Sequence, residues 1–225
     1  MEHMKPIKNK DAGCGKFSKL RIVVGIAALV MFAVILCCVQ TGAIAGFDDA
    51  IRSFFYDLRS DSLTPFVKAV TYIGNWQGIV ILCVVLLAVK PLRLTYGVPV
   101  SIGAVFVTIL NKLIKNAVQR PRPDDILHLV NEGGFSFSSG HSITSMFVFG
   151  MLIYLVRTNV ENRTLANVLT VILAIPMICI GVSRIYLGVH YPSDVLAGWC
   201  LGIAVIMAMV EVMKRCEARH TAKEL

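Results

Sequence analysis

Five runs of about 18 or more largely apolar residues, following Arg21, Asn75, Leu94, Thr164 and Ser193, are each long enough to cross a hydrocarbon core. A chain of 225 residues that is 56% hydrophobic, with mean hydropathy +0.71, is too apolar for a soluble domain with a solvated surface. A shorter sixth run extends from Ser142 to Val156. The second run is expected to begin earlier, because Thr64-Pro65 is a helix-start dipeptide and residues 66–74 can extend the helix ahead of Trp76. The expected spans are 22–41, 65–89, 94–117, 141–157, 165–183 and 194–213. The predicted fold class is all-α: a polytopic bundle of six transmembrane helices forming one domain over 22–213, with a basic arm at 1–21 and a tail at 214–225.

Basic residues favour the cytoplasmic side of a membrane. With both termini inside, the excess of basic over acidic side chains on the inner segments accounts for the whole formal charge of +8, and the outer segments balance. The charge is therefore a topology signal of a multi-pass protein of the plasma membrane. It is not a nucleic-acid footprint, which needs a soluble basic patch with readout elements, so no nucleic-acid partner is expected. The N-terminal apolar run precedes Ala43-Ile44-Ala45 and imitates a secretory signal, but about 18 apolar residues exceed the usual signal core, so an uncleaved anchor is expected. The seven cysteines are scattered without Cys-x-x-Cys spacing and are expected to be packing thiols, neither disulfides nor metal ligands. Between the first two spans, residues 42–63 mix Phe47, Ile51, Phe54, Phe55 and Leu58 with Asp48, Asp49, Arg52, Asp57 and Arg59 at helical spacing, the pattern of a connector lying along the interface.

Ionisable residues collect at span ends in three clusters: Lys115 through Arg122-Pro123, Ser139-Gly140-His141, and Ser183-Arg184 through His190 to Asp194. Six-span parity puts all three on one face, so topology joins segments some distance apart in the chain. A lysine with two arginines suits a dianion, since guanidinium grips phosphate oxygens through paired hydrogen bonds. Ser139-Gly140 at a helix start adds backbone N–H donors and lets the chain approach closely. His190 with Asp194 has the makings of an oriented nucleophile, and His141 of an acid for the departing oxygen and a base for water. Each residue alone has a commoner use: interfacial anchor for Lys115, Arg120 and Arg122, N-cap for Ser139, satisfied polar group for His141 or His190, first-turn carboxylate for Asp194. It is their conjunction that points to phosphoryl chemistry.

The three segments, Lys115-x6-Arg122-Pro123, Ser138-Ser139-Gly140-His141 and Ser183-Arg184-x5-His190-x3-Asp194, resemble in order and spacing the signature of the type 2 phosphatidic acid phosphatase superfamily. The resemblance implies that Lys115, Arg122, Ser139, Gly140 and Arg184 bind phosphate. It also implies that His190 is the nucleophile, oriented by Asp194, and that His141 is the general acid. Ser138 stands where the family usually has proline. No cofactor or metal is implied, and Asp124 and Asp125 are the only spare acidic pair near the clusters. The implied substrate is a lipid phosphate at the outer interface: undecaprenyl pyrophosphate, phosphatidylglycerophosphate or phosphatidic acid. A lipid-linked phosphotransferase and a non-catalytic phosphate-binding membrane protein are the alternatives. The sequence carries no signal of oligomeric state.

Overall fold

A computed structural model describes residues 14–221, and every regular element among them is helical. The order is α1 (Cys14–Thr41), α2 (Ala45–Asp57), α3 (Leu63–Ile73), α4 (Trp76–Ala88), α5 (Lys90–Leu92), a π-helical turn (Arg93–Gly97), α6 (Val98–Val118), a 3-10 turn (Asp125–Leu127), α7 (Gly140–Asn159), α8 (Arg163–Tyr186) and α9 (Pro192–Thr221). Five stretches are long and apolar enough to cross a membrane: Lys19–Thr41, Lys90–Val118, Gly140–Asn159, Arg163–Tyr186 and Pro192–Arg219. The pair α3 and α4 meets the same test only when taken together, bent by 48°.

That bend departs from the continuous helix expected over 65–89. Asn75 takes an extended backbone, with φ −66° and ψ 158°, which ends one helix and starts the next. A Cβ on the preceding Gly74 would come 3.2 Å from His141 Cδ2 and would run into the Ile180 side chain, so this close approach requires glycine. The helices also overrun the expected ends. Residues 1–13 of the arm expected over 1–21 lie outside the described residues, and from Cys14 the chain is already helical. At the other end α9 continues through the expected tail to Thr221.

Local sequence sets the remaining boundaries. Asn162 caps α8 by accepting the Leu165 N–H at 3.0 Å, and Ser139 caps α7. Gln119 ends α6 in the left-handed region at φ 52°. Pro99 lacks an N–H in the first turn of α6, and the helix before it widens to π geometry. Helix α7 is the hub. It packs on α6, α8 and α9, and 61% of its apolar window is buried, against 6% for α1, which lies along α9. Val100, Val107, Ile143, Phe147, Met151 and Leu155 fill the centre. Val30, Ile109, Val171 and many other large apolar side chains face outward, as a hydrocarbon surround requires. The described cysteines from Cys37 to Cys216 are all free thiols.

Candidate active site

At one end of the bundle a cavity of about 330 Å³ opens between α6, the 119–139 loop, the start of α7 and the turn before α9. Lys115, Arg122, Gly140, His141 and His190 line it, together with Lys112, Asn116 and residues 132–135. The three sequence clusters therefore meet. Ser139, Arg184 and Asp194 stand behind this wall, each buried and each bonded to groups at or near it.

His190 is 2% exposed and projects from the turn between α8 and α9. Its Nδ1 lies 3.2 Å from Ser136 Oγ and 3.3 Å from Asp194 Oδ2, while its Nε2 lies 3.2 Å from Arg122 Nη1. Arginine has no acceptor, so Nε2 must present its lone pair towards Arg122, and Nδ1 carries the proton. Ser136 donates its hydroxyl to Asp194 Oδ2, so its oxygen is free to accept from Nδ1–H. Burial, and then the positive charges of Arg122, Lys115, Arg184 and Arg120, hold the imidazole's proton affinity well below its ordinary value. The ring is thus neutral at neutral pH.

Asp194 occupies the third position of α9, and its Oδ2 also accepts the Tyr191 N–H at 3.0 Å, closing the helix start as an N-terminal carboxylate does. Its Oδ1 accepts from Arg120 Nη1 at 2.7 Å. His141, in the first turn of α7, sits with Nε2 2.6 Å from Asn75 Oδ1, so the bend between α3 and α4 holds this ring from a distant part of the chain. An amide oxygen only accepts, which assigns the Nε2 proton.

The cations are held by the surrounding structure. Lys115 Nζ donates to the carbonyls of Phe135 and Ser136. Arg122 donates to the carbonyls of Gly133, Gly134 and Val189 at 2.7 to 3.1 Å. Arg184, 1% exposed, donates to Thr71 Oγ1 at 2.8 Å and to Glu132, whose carboxylate also lies 3.7 Å from Arg122. Glu132 thus sits on both arginines. The Ser139 hydroxyl is occupied in capping: it accepts from Ser142 Oγ at 2.8 Å, and the Ser139 N–H donates to the Asp194 carbonyl. Ser138, where proline is usual, donates to Asn111 Oδ1 at 2.9 Å and ties the loop to α6, a bond proline cannot make. Asp124 and Asp125 do not line the cavity. Among the described residues no three His, Cys, Asp or Glu side chains gather closely enough to hold a metal ion.

Sequence reasoning did not find Ser136, Glu132, Asn75, Thr71 or Asp48 as neighbours of the site. Ser136 and Glu132 lie five and nine residues before His141 in the chain, but no spacing rule marks them. Asn75, Thr71 and Asp48 are brought in by tertiary packing alone.

The sequence matches the PAP2 superfamily over residues 96–218. It is 30% identical over 181 residues to phosphatidylglycerophosphatase B of Bacillus subtilis (strain 168), an alignment spanning 79% of this chain and 89% of that protein. It is 39% identical over 106 residues to decaprenylphosphoryl-5-phosphoribose phosphatase of Mycobacterium tuberculosis, covering 46% of this chain and 53% of the relative. Its fold superposes on the crystal structure of a transmembrane PAP2 type phosphatidylglycerolphosphate phosphatase from Bacillus subtilis with a TM-score of 0.76 at 26% identity. That superposition covers 85% of this chain and 96% of the other.

Proposed function

Because this chain belongs to the PAP2 superfamily and is a membrane lipid phosphatase, we propose that it hydrolyses a terminal phosphate from a glycerophospholipid or polyprenyl carrier through a phosphohistidine on His190. One observation carries this: the Nε2 lone pair of a neutral His190 faces the Arg122 clamp, while Ser136 and Asp194 stand behind its Nδ1. Phosphatidylglycerophosphate is the first candidate substrate, since a relative aligned over 79% of this chain and 89% of its own length carries that activity in its name. Undecaprenyl pyrophosphate and phosphatidic acid follow.

Lys115, Arg122 and Arg184 supply positive charge for the phosphate oxygens, and Gly140 lets the α7 N-terminus approach them. The Nε2 lone pair forms the bond to phosphorus as the ester or anhydride P–O bond breaks. The departing oxygen takes a proton from protonated His141. With Nε2–H of His141 committed to Asn75, Nδ1 is the position left to exchange that proton. His141, now neutral, then accepts a proton from water as the water oxygen displaces His190 from phosphorus, releasing inorganic phosphate. Asp194 and Ser136 keep Nδ1–H in place through both steps. The chemistry is assigned to these side chains without metal. The span count is taken as six, with the α3 and α4 pair as one bent span. Both termini are placed at the cytoplasmic face and the cavity outward, on the distribution of basic residues.

The test is phosphate release by detergent-purified protein in excess chelator across those three lipids and a water-soluble phosphomonoester. Turnover that His190→Ala abolishes is expected, with labelled phosphate appearing as the free ion. Turnover retained in His190→Ala, or label passed to a lipid or sugar acceptor, would overturn the mechanism or the choice of water respectively.

A further inference from the structure

Asp48 is the single buried residue of α2 and is only 1% exposed, although its segment has the amphipathic pattern of an interfacial connector. A carboxylate removed from water is costly unless its lone pairs are filled and its charge is met. Both conditions are satisfied, and every partner belongs to the neighbourhood of the nucleophile. Oδ1 accepts the Ser193 N–H at 2.8 Å, an otherwise free donor in the first turn of α9. Oδ2 accepts the Ser193 hydroxyl and Arg120 Nη2, both at 2.7 Å.

Arg120 lies inside the Lys115-x6-Arg122-Pro123 segment but is not one of its defining positions. Its guanidinium lies 3.9 Å from the Tyr191 ring centroid, and its Nη1 donates to Asp194 Oδ1 at 2.7 Å and to Ser193 Oγ at 2.8 Å. One arginine thus bridges two buried carboxylates, one arm to each. Left to itself, a guanidinium facing a carboxylate favours the two-pronged arrangement that occupies both oxygens. Here Asp48 holds the second prong. Asp194 therefore receives Arg120 on Oδ1 alone, and Oδ2 stays with Ser136, the Tyr191 N–H and His190.

We propose that Asp48 and Arg120 are positioning residues for phosphoryl transfer: Asp48 divides the Arg120 fork, so that Asp194 keeps one oxygen for His190 while its buried charge remains neutralised. The role rests on the assignment of His190 and Asp194 above. It makes α2, the helix beside the bundle, part of the apparatus that orients the nucleophile.

The experiment compares wild type with Asp48→Asn, Asp194→Asn and the double variant in detergent micelles of phosphatidic acid. Asp49→Asn is the control, since that carboxylate is exposed and pairs with Arg52. Asp48→Asn is expected to lower kcat about 10- to 100-fold with KM within about twofold, because a second layer that orients a catalytic group acts on turnover. In the Asp194→Asn background the same change is expected to cost less than about threefold, since both act through one imidazole. Unchanged kcat in folded Asp48→Asn, or losses that multiply, would reduce Asp48 to an anchor of α2 and overturn the proposal. Arg120→Lys keeps the charge but cannot bridge both carboxylates, so it should show the same selective loss of kcat if Asp48→Asn does not accumulate. Retention of activity in His190→Ala would refute the nucleophile without reference to Asp48. If wild type turns over no phosphatidic acid, binding of orthovanadate, a mimic of five-coordinate phosphorus, gives the second reading. About tenfold weaker binding in Asp48→Asn but not in Asp49→Asn supports the role, and binding in Asp48→Asn equal to that of wild type overturns it.

Discussion

At the scale of single residues, the site is arranged around one imidazole. Ser136 contacts both Nδ1 of His190 and Oδ2 of Asp194, and these two are 3.3 Å apart, long for a charge-assisted bond. Ser136→Ala is therefore expected to lower kcat by roughly tenfold with little change in KM, measured by steady-state phosphate release. The depressed proton affinity of His190 has a sign that can be worked out. Its folded-state value lies below that of an unfolded histidine, near 6.5, so in the window below about pH 6.5 the unfolded chain binds more protons. The stability tied to this group is present above that value and is lost as pH falls towards the folded value. Thermal unfolding is expected at a lower temperature at pH 5.5 than at pH 7.5, with the difference reduced in His190→Ala. The acid limb of kcat/KM assigned to the nucleophile should lie below the ordinary histidine value, near 6.5. Glu132 sits against Arg184 and Arg122, so an incoming phosphate competes with it. Glu132→Gln is expected to make inorganic phosphate a stronger product inhibitor by several-fold, read from its inhibition constant. Lys115, Arg122, Gly140, His141 and His190 were legible in the sequence because their spacing survives as a linear pattern. Ser136 and Glu132 were not, because most of their partners are distant in the chain and they lie in a loop without periodicity.

At the scale of elements, the bend between α3 and α4 is where sequence and structure differ. The apolar run after Asn75 was legible, and so was the start at Thr64-Pro65, but joining them into one helix overlooked Asn75. Its role depends on His141, which is 66 residues away in the chain. Hydropathy cannot register a break whose cause is a side chain on another helix. Gly74→Val tests this, since its added Cβ would meet His141 and Ile180. It is expected to lower kcat by at least about tenfold, because a small misplacement of His141, the proposed acid, is costly. It should also lower the melting temperature modestly, as overpacking costs about 1–3 kcal/mol. Helix α2 shows the complementary limit: its amphipathic pattern was legible, but Asp48, counted with the polar residues of that pattern, points into the protein.

At the scale of the whole molecule, the helical character of the apolar runs and the meeting of three distant clusters at one end of the bundle followed from the sequence, while the count is five spans, or six if the bent α3 and α4 pair crosses as one. Each run is as long as a membrane is thick, and parity then brings alternate ends together. Packing order did not follow, since most runs offer similar aliphatic surfaces. The outward orientation proposed for the cavity is tested with single cysteines in a background lacking the native thiols. Ile126→Cys, at a position 92% exposed in the 119–139 loop, is expected to react with a membrane-impermeant maleimide on intact cells. Glu161→Cys, in the connection between α7 and α8, is expected to react only after permeabilisation. The pairing of α1 with α9 bears on how such a protein is made. Helix α1 emerges from the ribosome long before its partner, and His190 and Asp194 arrive only with the segment that opens α9. Until that segment is placed, the arginines and lysine lack the nucleophile proposed for them. On the proposed assignment, a half-synthesised chain is expected to be inert towards the lipids of the bilayer that is receiving it, with activity gained only once α9 is in place.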